Sequence, residues 1–148
     1  MPADKNKTAQ EFRTFVTVGF VQFIQAAVES SFRVFLRALF GKAPISWKSV
    51  YGDLLGRVKL DSVENIALLD LLRHLRNTVH NNGVYFDRKP NRSVDYRGRR
   101  FDFNLGQKVM PDSELLLQIA QDVMELLHAV VRSNPVSDHE GAMPDPSM

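Results

Sequence analysis

The sequence has no cysteine, so it can form neither a disulfide framework nor a thiolate zinc site. That fits a reducing compartment such as the cytosol. It has no glycine-rich loop of the kind that cradles a phosphate, and no serine in a nucleophile elbow. His74 and His80 stand too far apart for a zinc-binding His-x-x-x-His pair, and no glutamate is interposed between them in the required pattern. The acidic residues form no metal-ion cluster. These absences argue against a metalloenzyme and against a serine hydrolase, and no cofactor is expected. There is also no uninterrupted apolar run of membrane-spanning length. Residues 14–28 carry no charge, but Thr14, Thr17, Gly19, Gln22 and Gln25 interrupt them. The stretch is shorter than the roughly 20 residues that a bilayer requires, and it begins after Asp4 and Glu11, too deep for an ordinary secretory signal. The expectation is a cytoplasmic protein without a membrane span.

What is present is a globular composition. The chain has 148 residues, 44% of them hydrophobic and 24% charged, which suits a single domain able to bury a core. A net charge of +2 permits an anionic partner without demanding one. Residues 1–9 are polar and read as a flexible N-terminus. From about 10 to 40, apolar residues recur in steps of three and four, which predicts one long helix ended by Gly41. Gly19 or Glu29-Ser30-Ser31 are the places where it would break. Its apolar face is wide enough for more than one neighbour or for a partner chain, and its phenylalanines read as core. Ser46 caps a second helix over 47–58. Asp61 and Glu64 form a variant capping box for a third over 62–81, with Asn81-Asn82-Gly83 as its stop. Residues 84–110 change character: 93–96 and 99–103 alternate around Arg97-Gly98 and predict a hairpin lying on the helices through Tyr96, Phe101 and Phe103. Pro111 and Asp112 open a last helix to about 132. Residues 134–148, rich in Pro, Ser and Asp, read as a disordered tail. The fold class expected is all-α, a four-to-five-helix bundle over 10–133 with a small β-hairpin inserted before the last helix.

Polar chemistry is densest near the end of the third helix. Arg73, Arg76, Asn77 and His80 are three, four and seven apart, so they share a helical face. An imidazole can take or give a proton near neutrality. A guanidinium can hold a phosphate by two parallel hydrogen bonds and offset growing charge. Cleavage of RNA by its own 2′-hydroxyl needs both groups, and it needs proton transfer at two ends. One imidazole serves both ends poorly, so this chemistry favours a homodimer. The plainer alternative is that Arg73, Arg76 and His80 are cations favoured at a helix C-terminus, with Asp70 as a local ion-pair partner of Arg73 or His74. His74 reads as structural or solvent-facing, and His128 as a partly buried structural histidine.

At these residues the sequence resembles the HEPN superfamily, the higher eukaryotes and prokaryotes nucleotide-binding domains. The usual form of its motif is an arginine, often followed by Asn or His, and then a histidine after four to six intervening residues. The pair Arg73 and His80 falls inside that spacing. Arg76-Asn77 supplies the familiar dipeptide, although His80 follows it one residue early. Both arginines therefore stand as candidates. The resemblance implies a short helical bundle, commonly dimeric, and for many members a metal-independent endoribonuclease of toxin–antitoxin or phage-defence type, with an antitoxin as possible partner protein. In others it implies a non-catalytic module for nucleotide binding or dimerisation. Carried onto this chain, His80 would be the acid/base, Arg73 or Arg76 the phosphate clamp and Asn77 a binding residue. Tyr85 lies just beyond the helix stop and joins the same candidate site. Arg97, Arg99 and Arg100, with aromatic residues interleaved, either touch RNA or keep an exposed strand edge soluble.

Overall fold

The computed structural model describes residues 2–80, 91–107 and 109–139, and of Pro2, Ala3, Val79 and His80 the backbone alone. Within these the chain is mostly helical, in the order α1 (Pro2–Phe40), α2 (Trp47–Arg57), α3 (Val63–His80), β1 (Arg92–Tyr96), β2 (Arg99–Phe103), α4 (Ser113–Arg132) and α5 (Asn134–Ser137).

The first helix is longer than its apolar period. It starts at Pro2, through residues expected to be a loose end, and runs unbroken past Gly19 and Glu29-Ser30-Ser31. The polar side chains there are used inside the helix rather than against it. Ser31 Oγ donates to the Ala27 carbonyl at 2.9 Å, and Glu29 accepts from Arg33 one turn on at 2.8 Å. Gly41, at φ 86°, ends the helix. Arg33 also closes the corner into α2. Its Nη1 donates to the Pro44 carbonyl at 2.6 Å and its Nη2 to the Ile45 carbonyl at 2.8 Å. By length and composition the segment Asp4–Phe40 also meets the size of a membrane span. Its C-terminal half is core: Val28, Phe32 and Leu36 are buried.

The helix packs on α2, α3, α4 and α5. Its phenylalanines do not all follow the expected burial. Phe32 is buried, and Phe20, Phe35 and Phe40 pack on the edge of the core, but Phe12, Phe15 and Phe23 are exposed. Periodicity identifies a helix; it does not say how many of its sides have neighbours.

Ser46 caps α2 as expected, its Oγ accepting from Ser49 N at 3.2 Å. The cap of α3 is Ser62 rather than Asp61: Ser62 Oγ accepts from Asn65 N at 3.2 Å, while Asn65 Nδ2 reaches back to the Leu60 carbonyl at 2.9 Å. Leu54 and Leu55 of α2 meet Leu69, Leu72 and Leu75 of α3 in the core. Each such side chain contributes roughly 1.5–3 kcal/mol by leaving water.

The hairpin is antiparallel with Val94 opposite Phe101 and Tyr96 opposite Arg99. Arg97 (φ 51°) and Gly98 (φ 72°) form the two-residue turn, whose paired positive φ values match the twist of the strands. The two-residue period turns Val94, Tyr96, Phe101 and Phe103 to the helices, where all four are buried. Ser93, Asp95, Arg100 and Asp102 face outward. Asp112 caps α4 by accepting from Leu115 N at 2.8 Å. Residues 134–137, expected within the tail, form the short α5, and Val136 packs on the core. The tail from 140 onward lies outside the described residues.

Candidate functional site

The end of α3 is built around a leucine-lined inner face. Leu68, Leu71, Leu72 and Leu75 are buried, and Thr78 is buried with its hydroxyl donating to the His74 carbonyl at 2.8 Å. Of the polar residues that share a face by spacing, Arg73, Arg76 and Asn77 do not share an environment. Arg73 is half-buried and tied inward. Its Nε donates to Tyr51 Oη of α2 at 3.3 Å, and its Nη2 lies 3.8 Å from Asp70 Oδ1. Tyr51 in turn donates to Asp70. Burial first, and then the hydrogen bond to Asp70, hold the Tyr51 hydroxyl well above its ordinary range, so it remains a donor. The ion pair expected from the Asp70–Arg73 spacing is therefore present, with a tyrosine as its third member.

His74 is buried. Its ring stacks at a tilt on Phe103, centroids 5.1 Å apart, and its Nε2 lies 3.4 Å from Arg73 Nη2. Of its two expected readings, the structural one holds. Asn77 is half-buried, whereas Arg76 is exposed and makes no ion pair among the described residues. The backbone puts His80 one helical turn after Arg76, at the last position of α3. The stop at Asn81-Asn82-Gly83 and Tyr85 lie outside the described residues.

The hairpin arginines belong to another place. Arg97 and Gly98 line a cleft of about 500 Å³ with Val63, Glu64 and Asn65, at the beginning of α3. At 1.5 Å per residue, Arg76 lies roughly 18 Å further along that helix. Arg97 grips Asp122 of α4 with Nε at 2.8 Å and Nη2 at 2.7 Å. Arg100 bonds Asp102 at 2.9 Å and Ser93 at 3.1 Å, and Arg99 lies over the Phe101 ring at 4.7 Å. Glu64, Asp95 and Glu125 make the cleft acidic, which disfavours a phosphate backbone. The structure thus does not bring Arg97, Arg99 and Arg100 to the end of α3, and it ties Arg97 and Arg100 to carboxylates.

Asp122 is the residue that sequence reasoning missed. It accepts from Tyr96, Arg97 and Gln118 and fastens the hairpin turn to α4. Nothing local marks it, because Tyr96 and Arg97 come from a separate element. The Arg97 guanidinium holds its carboxyl below the usual carboxylate range, and burial and Asp122 push the Tyr96 phenol well up. Asp122→Ala is expected to lower stability by roughly 2 kcal/mol, mostly because a buried phenol loses its acceptor; the exposed Arg97 pair adds little. The contribution of a depressed carboxyl is complete above the unfolded carboxylate pKa of about 4 and fades as pH falls through the native value. Urea midpoints of wild type and variant should therefore converge in acid.

His128, expected to be partly buried, is exposed beside Arg132 on α4. Among the described residues no three histidine or carboxylate side chains converge as metal ligands. No protein-family model matches the chain, and no curated protein or solved structure matches it.

Proposed function

We propose that this chain is a HEPN-like helical protein that binds RNA at the C-terminal end of α3 and, as a homodimer, cleaves it without a metal, in the manner of a toxin–antitoxin or phage-defence ribonuclease. The observation that supports this most is the exposed Arg76 one turn before His80, beside an Arg73 already tied to Tyr51 and Asp70. That difference supports Arg76 over Arg73 as the phosphate clamp, with Arg73 as a positioning residue that stiffens the helix from α2. Asn77, in the same turn, is the adjoining binding residue. His80 then moves the proton, and a second copy supplies the second imidazole. No cofactor is called for.

The test is single-stranded RNA incubated with wild type and with His80→Ala. Cleavage by the wild type should fall by roughly 10²–10⁴-fold in the variant, with the helical circular dichroism unchanged. Cleavage that survives the substitution ends the catalytic reading. RNA that is bound but not cut, with binding weakened by Arg76→Ala, leaves a binding module.

A second reading is favoured by a different observation, the exposed Phe12, Phe15 and Phe23 of α1. Here the chain is a non-catalytic interaction module whose first helix engages a partner such as an antitoxin, while the α3 cluster binds a nucleotide or caps a helix. A protein that neither binds nor cuts RNA, but associates through those phenylalanines, fits this reading and not the first.

A further inference from the structure

Phe12, Val16, Gly19, Phe23, Ala26 and Ser30 are all exposed, and the steps between them alternate four and three. That is the seven-residue repeat by which one helix packs along another. The stripe lies on the side of α1 about 180° from the buried Val21, Val28, Phe32 and Leu36. Its Phe12 and Val16 edge an open cleft shared with Met110, Pro111 and Leu117, and every residue of it stays exposed among the described residues. Phe12, Phe15 and Phe23 are 66%, 76% and 73% exposed. At the area a phenylalanine can bury, the three rings offer roughly 400 Å². That is already as large as patches that mark interaction sites, and Val16 and the flanks carry it toward the roughly 800 Å² per partner of a stable interface.

Gly19 lies in the middle of this stripe. A glycine inside a helix weakens it relative to alanine, and among the described residues no neighbour accounts for one here: a Cβ at Gly19 would meet nothing within 4 Å. A second helix crossing at that point would supply the reason, since glycine lets two backbones approach most closely.

We infer that α1 pairs with α1 of a second copy of this chain, antiparallel, about a two-fold axis at Gly19. In that register Gly19 meets its own copy, Phe12 faces Ala26, Phe15 faces Phe23 and Thr8 faces Ser30. Large rings stand opposite a small residue or opposite each other across the axis, and the surface is self-complementary as a two-fold interface requires. The direction follows from where α1 is bare. Residues 4–16 are all exposed, with Phe12, Arg13 and Val16 beside an open cleft at the start of α4, and the antiparallel arrangement lays this overhang along the packed half of the partner's helix. A parallel one would leave two overhangs with only each other. A lipid bilayer suits the stripe less well, because Lys5, Lys7, Glu11 and Arg13 surround the overhang and Glu29 and Arg33 follow the charge-free run. The pairing uses no residue at the end of α3: RNA binding through Arg76 does not require it, whereas the homodimeric cleavage proposed above needs a two-copy assembly. A monomeric chain that still binds RNA would therefore remove the pairing and the cleavage but not the RNA site.

The full chain at tens of micromolar should sediment as a dimer. Phe23→Glu, at an exposed site, should weaken the dimer by tenfold or more and leave the circular dichroism intact. Gly19→Leu should weaken it comparably while helicity does not fall. Because the chain has no cysteine, Thr8→Cys and Ser30→Cys report direction: the two variants mixed under oxidation should cross-link, and Ser30→Cys alone should not. A monomeric wild type, a Phe23→Glu variant that remains dimeric, or Ser30→Cys chains that cross-link to each other would overturn the pairing. So would binding to phosphatidylcholine vesicles that depends on Phe23 without self-association.

Discussion

Phe103→Ala is expected to lower the stability of the protein by about 3–5 kcal/mol, the range for truncating a fully buried phenylalanine. Phe103 is 0% exposed at the end of β2 and packs on the ring of His74 in α3. The loss should be felt twice. A two-stranded hairpin is marginal in water by itself, so β1 and β2 persist only through the side chains they lay on the helices, and Phe103 is the most deeply buried of these. Its removal also takes away one wall of the His74 site. Against a total of about 5–15 kcal/mol for an ordinary domain, the variant should melt roughly 10 °C or more below the wild type. A calorimetric scan checks it. A loss below about 1 kcal/mol would mean that the hairpin is not docked through this ring.

The second large effect separates two arginines that are three residues apart. Arg73→Ala should cost about 1–3 kcal/mol, because it leaves a half-buried Asp70 carboxylate with Tyr51 as its remaining partner. Arg76→Ala should change stability by less than about 0.5 kcal/mol, as expected for an exposed site. For RNA the order reverses. Under the proposed function, loss of Arg76 removes a charge-assisted bond to phosphate and should weaken binding roughly tenfold or more. It should do so equally for different sequences, and the salt dependence should fall by about one counterion. Urea denaturation and RNA titration at two salt concentrations measure both halves. An Arg76→Ala protein that binds RNA as well as the parent would remove the clamp assignment.

The parts of this fold that were legible from sequence are those determined locally. The Arg97-Gly98 turn selects its hairpin through two positive φ values, and Ser46 caps α2 with its own hydroxyl. The period of α4 turns Leu116, Ile119, Val123, Leu126 and Val130 into the core with no information from elsewhere. The start of α3 was less legible, because Asp61 and Ser62 compete for one cap and the choice turns on a single residue of register. What pattern could not supply was the identity of neighbours. The phenylalanines of α1 recur at helical spacing whether or not a second element covers them, so Phe12, Phe15 and Phe23 read as core and are not.

The candidate site divides in the same way. Spacing puts Arg73, Arg76 and Asn77 on one broad face, but that face runs from the edge of α2 to open solvent. The arrival of Tyr51, from a different helix, decides that Arg73 is engaged, while Arg76 is exposed and makes no ion pair among the described residues. The cluster of arginines in the hairpin read as one basic surface because charge was counted along the chain. In space Asp122 and Asp102 intervene.

The guanidinium of Arg33 has a consequence for how copies of this chain can associate. It clamps the carbonyls of Pro44 and Ile45 to the last turns of α1, so the connector into α2 is latched shut rather than free to open as a hinge. Two copies therefore cannot readily trade their first helices by swinging them out. Any assembly must join intact protomers by their outer surfaces, and it should come apart on dilution without unfolding.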